Sequence, residues 1–403
     1  MAQFTYKARD ASGNVTEGLI EAANKQQVFE LVKKYNLMPT SVKEKKEEGI
    51  KIDIPFLHRV PFKSKVIFSR QLATMIDSGL SIVQSLKILA QQEKIKNKKF
   101  SEIIEKVAAD IESGISFSAA LKKFSNVFPP IYTSLVESGE ASGQLDEVLN
   151  RLATQMESDY DLRRKIRGAM MYPAFIIVAM VVAAVIVLTF VIPQLKALFE
   201  ESGAELPVVT RILLATSDFL VNFWWITLFG LIGIIFSWRA FLKSKKGRKF
   251  WDGLKLRIPV LGNFIRNIYM TRFTRTLGTL ISSGLPILES LTIVSGTIGN
   301  VLYKEEIEKL SKKVESGVDL STPLKESNLF PTMVSHMVEV GEKTGSIDKV
   351  LNRLAKFFDN EVSNTVATLS TLLEPIILVV IGVGVAIFVG AVLLPIYQLA
   401  SVM

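Results

Sequence analysis

Cysteine is absent from the 403 residues, and histidine occurs only at His58 and His336. The first absence excludes disulfides, thiolate metal sites and cysteine nucleophiles. The second leaves too few imidazoles to build a histidine-based metal centre. Charge is missing locally: charged residues make up 22% of the chain, yet none falls in 168–195, in 219–238 or after Glu374. A helix needs about 20 apolar residues to cross a hydrocarbon core of about 30 Å. Each charge-free run therefore reads as a membrane span. Asn222, near the start of the second run, is the strong polar candidate there, whereas pumps and transporters hold ionisable groups at mid-membrane. The opening residues MAQFTYKARD lack an apolar core behind a basic start. No signal peptide is expected there, and the N-terminus is expected in the cytoplasm.

Against these absences stands a duplication. Residues 136–153 read VESGEASGQLDEVLNRLA and residues 338–355 read VEVGEKTGSIDKVLNRLA, with twelve of eighteen positions identical and no gap. Such a match inside one chain marks an internal repeat and sets the architecture. It extends upstream, where FSRQLATMIDSGLSIVQSL (68–86) aligns with FTRTLGTLISSGLPILESL (273–291). Arg70 thereby matches Arg275, Gly79 matches Gly284, and Ser81 is replaced by Pro286, two different devices for starting a helix. It also extends into the membrane. Pro173 and Pro193 bracket the first span and Pro375 and Pro395 the third, twenty residues apart each time. The second span has no counterpart, and its role is to bring the chain back across the membrane.

The expected architecture is an all-α membrane protein with two homologous cytoplasmic six-helix bundles and three transmembrane helices, preceded by a small α+β module. That module covers 1–42, with a hairpin around Gly13-Asn14, a helix capped by Asn24 and a third strand at 40–42 after Pro39. A mixed-charge linker follows over 43–62. The first bundle spans 63–168 and the first transmembrane helix 169–194. A short external loop at 195–217 leads to the second transmembrane helix, 218–239. A basic cytoplasmic connector occupies 240–268, the second bundle 269–372, the third transmembrane helix 373–397 and an external C-terminus 398–403. In the first bundle Ser64, Ser81 and Asn97 are expected to start helices. A short fourth helix starts near Ser118, a fifth runs from Pro129 or Pro130 to Gly139, and a sixth starts near Gln144.

Orientation follows from flanking charge. Arg163, Arg164, Lys165 and Arg167 precede the first span, and Arg239, Lys243, Lys245, Lys246, Arg248 and Lys249 follow the second. The positive-inside rule puts both bundles in the cytoplasm and the 196–218 loop outside.

The repeated corner carries the candidate functional residues. Gly139 and Gly341 are expected to take positive φ and end a helix, with Ser142 or Gly143 and Thr344 or Gly345 capping the next. Asp146 and Asp348 fall in its first turn, where the helix dipole favours an anion. Glu140 and Glu342 are not needed for such a corner, yet both copies have them. They are expected to contact a partner or to tie down Arg151 and Arg353. Residues 341–345, GEKTG, lack phosphate-loop spacing, and the first copy has no lysine there. No catalytic residue and no cofactor is expected. In the third span Gly382, Ala386 and Gly390 recur every four residues, a pattern suited either to packing within the chain or to a dimer seam.

The stretch at 68–80, its copy from Phe273, the two G-E-x-[ST]-G corners followed by D-x-V-L-N-R-L-A, and the leading FTYKARDASGNVTEG together resemble the inner-membrane platform family of type IV pili and type II secretion systems. The resemblance covers nearly the whole chain. It implies a non-enzymatic protein of the bacterial inner membrane. Its bundles would meet a hexameric assembly ATPase, and its spans would receive pilin or pseudopilin from the membrane lipid. It would act as a homo-oligomer together with alignment-complex proteins, without nucleic acid. Some secretion-branch relatives carry an acidic pair on the sixth helix that holds a cation. The matching positions here are Asn150 and Thr154, poor ligands for a hard cation, so no metal is expected. The alternative is a transporter or receptor subunit. The first needs a polar path through the spans, and the second needs a larger external domain than 196–218 offers.

Overall fold

The computed structural model describes residues 2–9, 15–22, 24–34, 37–44, 60–193, 208–259 and 261–402. The N-terminal residues form one unit, ending at Arg59. Strands β1 (Ala2–Arg9), β2 (Val15–Ala22) and β3 (Met38–Glu44) make an antiparallel sheet in the order β2-β1-β3. Helix α1 (Lys25–Lys34) starts as expected at Asn24, whose Oδ1 accepts from the Gln27 N–H at 2.9 Å. Phe4, Ala8, Ala22, Val28 and Val32 close a small core. The third strand begins before residue 40. Pro39 lies inside it, opposite Ala8, where the ladder shifts register. An edge strand tolerates this, because the missing N–H faces away from the ladder. The turn expected at Gly13-Asn14 and most of the linker lie outside the described residues.

From Val60 the chain forms a second, helical unit. Its first copy consists of α2 (Phe62–Asp77), α3 (Ile82–Lys96), α4 (Lys98–Glu112), α5 (Phe117–Lys122), α6 (Pro130–Ser142) and α7 (Leu145–Ile186). Three helices follow: α8 (Val208–Asn222), α9 (Trp224–Lys243) and α10 (Lys245–Arg257). The second copy repeats the first as α11 (Leu261–Ser282), α12 (Ile287–Thr297), α13 (Val301–Glu315), α14 (Ser321–Glu326), α15 (Thr332–Thr344) and α16 (Ile347–Val402).

Capping residues fix several of these starts. The Ser81 and Asn97 side chains accept from the N–H groups of Gln84 and Phe100, three residues on. Ser64 does not cap α2. Pro61, with φ −61° and ψ 142°, precedes the helix instead, and Ser64 falls in the first turn. Ser116, not Ser118, caps α5 by accepting from the Ala119 N–H. On α4, Ile103, Ile104 and Val107 are buried along one face, as the helical period requires.

Both copies pack around one continuous apolar core. Each contributes an aromatic nucleus at matched positions. Phe68 meets Phe128 at 6.0 Å in the first copy, and the equivalent Phe273 meets Phe330 edge-on at 4.8 Å in the second. Such pairs add about 0.5–1.5 kcal/mol beyond their burial. Burial also pushes the Tyr132 and Tyr303 phenols up. Tyr132 is held by the Ser69 hydroxyl, and Tyr303 donates to the Leu329 carbonyl.

Three helical stretches are long and apolar enough to cross a membrane: Leu145–Val191, Trp224–Lys243 and Ile347–Gly390. The first and third are continuations of the sixth helix of each bundle. Helix α7 runs through Pro173 and relaxes into a π turn at Val187–Val191, just before Pro193. A proline removes an N–H and crowds the carbonyl four residues back, and a wider turn relieves that crowding. The expected external loop is helical from Val208 onward. Helix α8 packs on the end of the first span, where Ser217 donates to the Leu188 carbonyl. The second crossing starts after a break at Phe223, later than residue 218. Asn222 is exposed at the end of α8. Added Cβ atoms at Gly382 and Gly390 would meet nothing within 4 Å. Among the described residues, these two glycines are thus not in close contact with another span.

Candidate coupling site

Helices α6 and α7 meet at the first repeated corner, and α15 and α16 meet at the second. In both, the residue with positive φ is the later glycine: Gly143 at 70° and Gly345 at 61°. The Gly143 N–H returns to the Glu140 carbonyl and the Gln144 N–H to the Gly139 carbonyl, and Gly345 and Ser346 repeat these two bonds on Glu342 and Gly341. This double bond pattern closes a helix on a left-handed residue. Gly139 and Gly341 are thus inside the helix and do not end it. Their role is proximity. A Cβ on Gly139 would lie 3.1 Å from the Val148 Cβ, and one on Gly341 would lie 3.0 Å from the Ile347 Cα. The missing side chain lets the long helix fold back against its predecessor. Ser142 and Thr344 bond back to carbonyls of their own helix and do not cap the next one. Asp146 is exposed and Asp348 half-buried in the first turns of α7 and α16.

Glu140 and Glu342 have a use that local capping rules do not anticipate. The Glu140 carboxylate accepts from the Phe117 N–H at 2.6 Å and the Ser118 N–H at 3.0 Å. Glu342 accepts from Leu320 at 2.5 Å and Ser321 at 3.1 Å. Each glutamate closes the N-terminus of the short helix of its own copy from about twenty residues away. Neither ties down an arginine. Arg151 pairs with Glu147 at 2.5 Å and donates to the Ser282 carbonyl, while Arg353 is exposed.

Arg70 and Arg275 organise the long helices. Arg70 grips Glu157 on α7 through both Nε, at 2.7 Å, and Nη2, at 2.5 Å. The hydrogen bonds hold the Glu157 carboxyl below its ordinary range and push the guanidinium up. Arg70 also donates to Asn150 at 3.2 Å and Thr154 at 3.0 Å. At the two positions compared with a cation-binding pair, the chain therefore holds its own guanidinium. Arg275 repeats the pairing with Asp359, the counterpart of Glu157, at 3.2 Å. It also reaches Asp159 on α7, likewise at 3.2 Å. One arginine, 11% exposed, thus joins the long helices of the two copies. Burial pushes the Asp159 carboxyl up against the pull of Arg275 and Arg272, and burial with Arg272 beside it pushes Arg163 down. Lys165 adds a bond to Ser363 farther along the same pair.

Between the long helices lies a polar cleft of about 690 Å³ lined by Arg151, Thr154, Arg275, Asp348 and Asp359 among others. Gly284 and Gly79 close the first hairpin of each copy with φ near 83° and 85°. Among the described residues the Gly284 hairpin is docked on the other copy: Ser138 donates to the Ser283 carbonyl at 2.8 Å and Thr279 donates to Gln155 at 3.1 Å. The partners Glu157, Asp159 and Asp359 escaped sequence reading. Aligning the repeats would have pointed to Glu157 and Asp359, which occupy equivalent positions and are both acidic.

In the membrane, the first and third spans and α8 enclose an apolar cleft of about 510 Å³ whose walls include Ala179, Ala183, Leu213 and Gly384. Among the described residues no group of three or more His, Cys, Asp or Glu side chains is placed to hold a metal.

The profile of the family described as type II secretion system (T2SS), protein F, matches residues 68–193 and 273–395, and that of its N-terminal domain matches 1–43. The chain is 40% identical to the type IV pilus assembly protein PilC of Thermus thermophilus, over 99% of this chain and 98% of the relative. It is 36% identical to the protein of the same name from Myxococcus xanthus, over 99% and 95%. It is 32% identical to the type II secretion system protein F of Pseudomonas aeruginosa, over 99% of each chain.

Proposed function

The chain belongs to the type II secretion system protein F family, and from that premise we propose that it is the inner-membrane platform of a type IV pilus assembly machine. It takes up movement of a cytoplasmic assembly ATPase and passes it to pilin in the bilayer. One observation carries this reading. Each copy holds a helix that runs without interruption from a rigid corner into a membrane span, and Arg275 yokes the two helices together. The higher identity to pilus proteins than to a secretion protein supports the pilus branch. Flanking charge supports an orientation with both bundles in the cytoplasm. The apolar cleft between the first and third spans suits one apolar helix, the form in which pilin would arrive. Among the described residues, the cleft between the spans is lined by apolar side chains, which does not favour the polar path a transporter would need.

The contacts between copies also support a homo-oligomer. In-chain, Arg151, Gln155 and Asp159 of α7 dock on Ser282, Thr279 and Arg275 of α11. The equivalent set is Arg353, Phe357 and Glu361 of α16 against Asp77, Thr74 and Arg70 of α2. Arg353, Asp77 and Thr74 are exposed, and so is Phe357. A contact used once head-to-tail inside the chain leaves matching halves open at both ends, and such interfaces generate rings where the rotation closes. Arg353 and Asp77 are oppositely charged, as are Glu361 and Arg70.

The test is genetic and biochemical. Deleting the gene should abolish surface fibres, wild-type chain should restore them, and full-length chain should retain the cognate assembly ATPase on co-purification. Fibres at normal number without the chain would reject the platform role.

A further inference from the structure

We propose that the junction of α9, α10 and α13 is a binding site for the phosphate headgroup of an anionic phospholipid. The junction holds a cleft of about 640 Å³ lined by Lys243, Lys246, Arg248, Asn300 and Lys304, with Glu305 and Glu308 on the same walls. The two carboxylates are already engaged, Glu305 with Lys249 at 2.7 Å and Glu308 with Lys304 at 3.7 Å. Lys243, Lys246 and Arg248 have no ion-pair partner among the described residues. The cleft therefore keeps an uncompensated positive charge.

Asn300 supplies the independent sign of a missing ligand. It is 2% exposed. Its Oδ1 accepts from the Leu302 and Tyr303 N–H groups, which identifies the other side-chain atom as nitrogen. That Nδ2 is buried and donates to nothing. A buried donor left unpaired is costly, and a phosphate oxygen in the cleft that Asn300 lines would satisfy it. The Val301 N–H is already taken by Asp252 at 3.1 Å, so the side-chain amide and the cations are the available donors.

Position selects a lipid over a soluble phosphate. Lys243 ends α9, five residues after Trp238, the last residue of the apolar run. Five residues of helix rise about 8 Å, close to the depth of one headgroup layer. The turn into α10 is rigid. A side chain on Gly247 would collide with the Phe241 carbonyl, and Trp251 stacks edge-on against Trp238 at 4.9 Å. Along α10, Lys246, Phe250, Leu254 and Arg257 share one exposed face. Cations interleaved with apolar groups suit a helix lying in the interface of an anionic membrane.

The experiment titrates purified full-length chain in mild detergent with phosphatidylglycerol, phosphatidylethanolamine or inorganic phosphate and counts bound lipid by native mass spectrometry. Phosphatidylglycerol should be retained at least about fivefold better than phosphatidylethanolamine, the effect of roughly one interfacial cation. A Lys246→Gln, Arg248→Gln double variant should lose that preference. Asn300→Asp keeps the capping oxygen and removes the free donor, so it should lose the preference without changing the helical circular dichroism. Equal retention of both lipids would overturn the proposal. So would undiminished phosphatidylglycerol binding by both variants, which would assign this face to an acidic protein. Displacement of phosphatidylglycerol by millimolar phosphate would mark the site as one for a soluble anion and equally overturn it.

Discussion

A carboxylate at the end of one helix closes the start of another at Glu140 and again at Glu342. Loss of an N-cap typically costs about 1 kcal/mol, and these acceptors are charged and partly buried. Glu140→Ala and Glu342→Ala should each lower the stability of the detergent-solubilised chain by about 1–2 kcal/mol. Glu140→Gln, which keeps one acceptor oxygen, should cost less, and denaturant unfolding followed by circular dichroism reads both. A second residue-scale effect is acid sensitivity. The Arg70 hydrogen bonds lower the Glu157 carboxyl, so the pair stabilises fully above the ordinary carboxylate value of about 4.3. Its contribution disappears as pH falls through the lowered folded value. Both side chains are more than a third exposed, which limits the effect to under about 1 kcal/mol. Thermal unfolding from pH 7 to pH 3 should show a smaller fall for Glu157→Gln than for wild type. The corner was visible in the sequence as a motif, but the roles of its glycines were not. G-E-x-[ST]-G offers two candidates for the left-handed position, and the choice rests on which glycine the following helix packs against. A capping acceptor twenty residues away leaves no local signal either.

At the scale of elements, α7 and α16 convert a corner into a membrane crossing. Charge-free runs, paired prolines and helical period make both helices legible in the sequence. The yoke between them was not, because Arg275 draws one carboxylate from each copy. Arg275→Ala should leave Asp159 and Asp359 without that cation and destabilise the packed pair by about 2 kcal/mol; partial exposure keeps the loss below that of a fully buried pair. Spin labels on α7 and α16 should then report a broader distance distribution, while Arg275→Lys should retain part of the restraint. An unchanged distribution in the alanine variant would mean that the shared apolar core alone sets the geometry. Helix α8 was missed for a different reason. Its apolar sequence runs into the second crossing, and the break at Phe223 has neither proline nor glycine to announce it.

At the scale of the molecule, duplication has left one head-to-tail contact satisfied inside the chain and its counterpart open. If copies join through that counterpart, Arg353→Glu and Asp77→Arg should each shift the solubilised protein to smaller species, and the double exchange should restore the wild-type size by light scattering. The cleft between the first and third spans is where the platform account places pilin. The most direct test of the platform account places a photo-crosslinker at Gly384, inside that cleft, and at Phe229 on the lipid-exposed second crossing, in cells making fibres. The account predicts a pilin adduct at Gly384 and little or none at Phe229. No adduct at Gly384, or equal adducts at both positions, would contradict it.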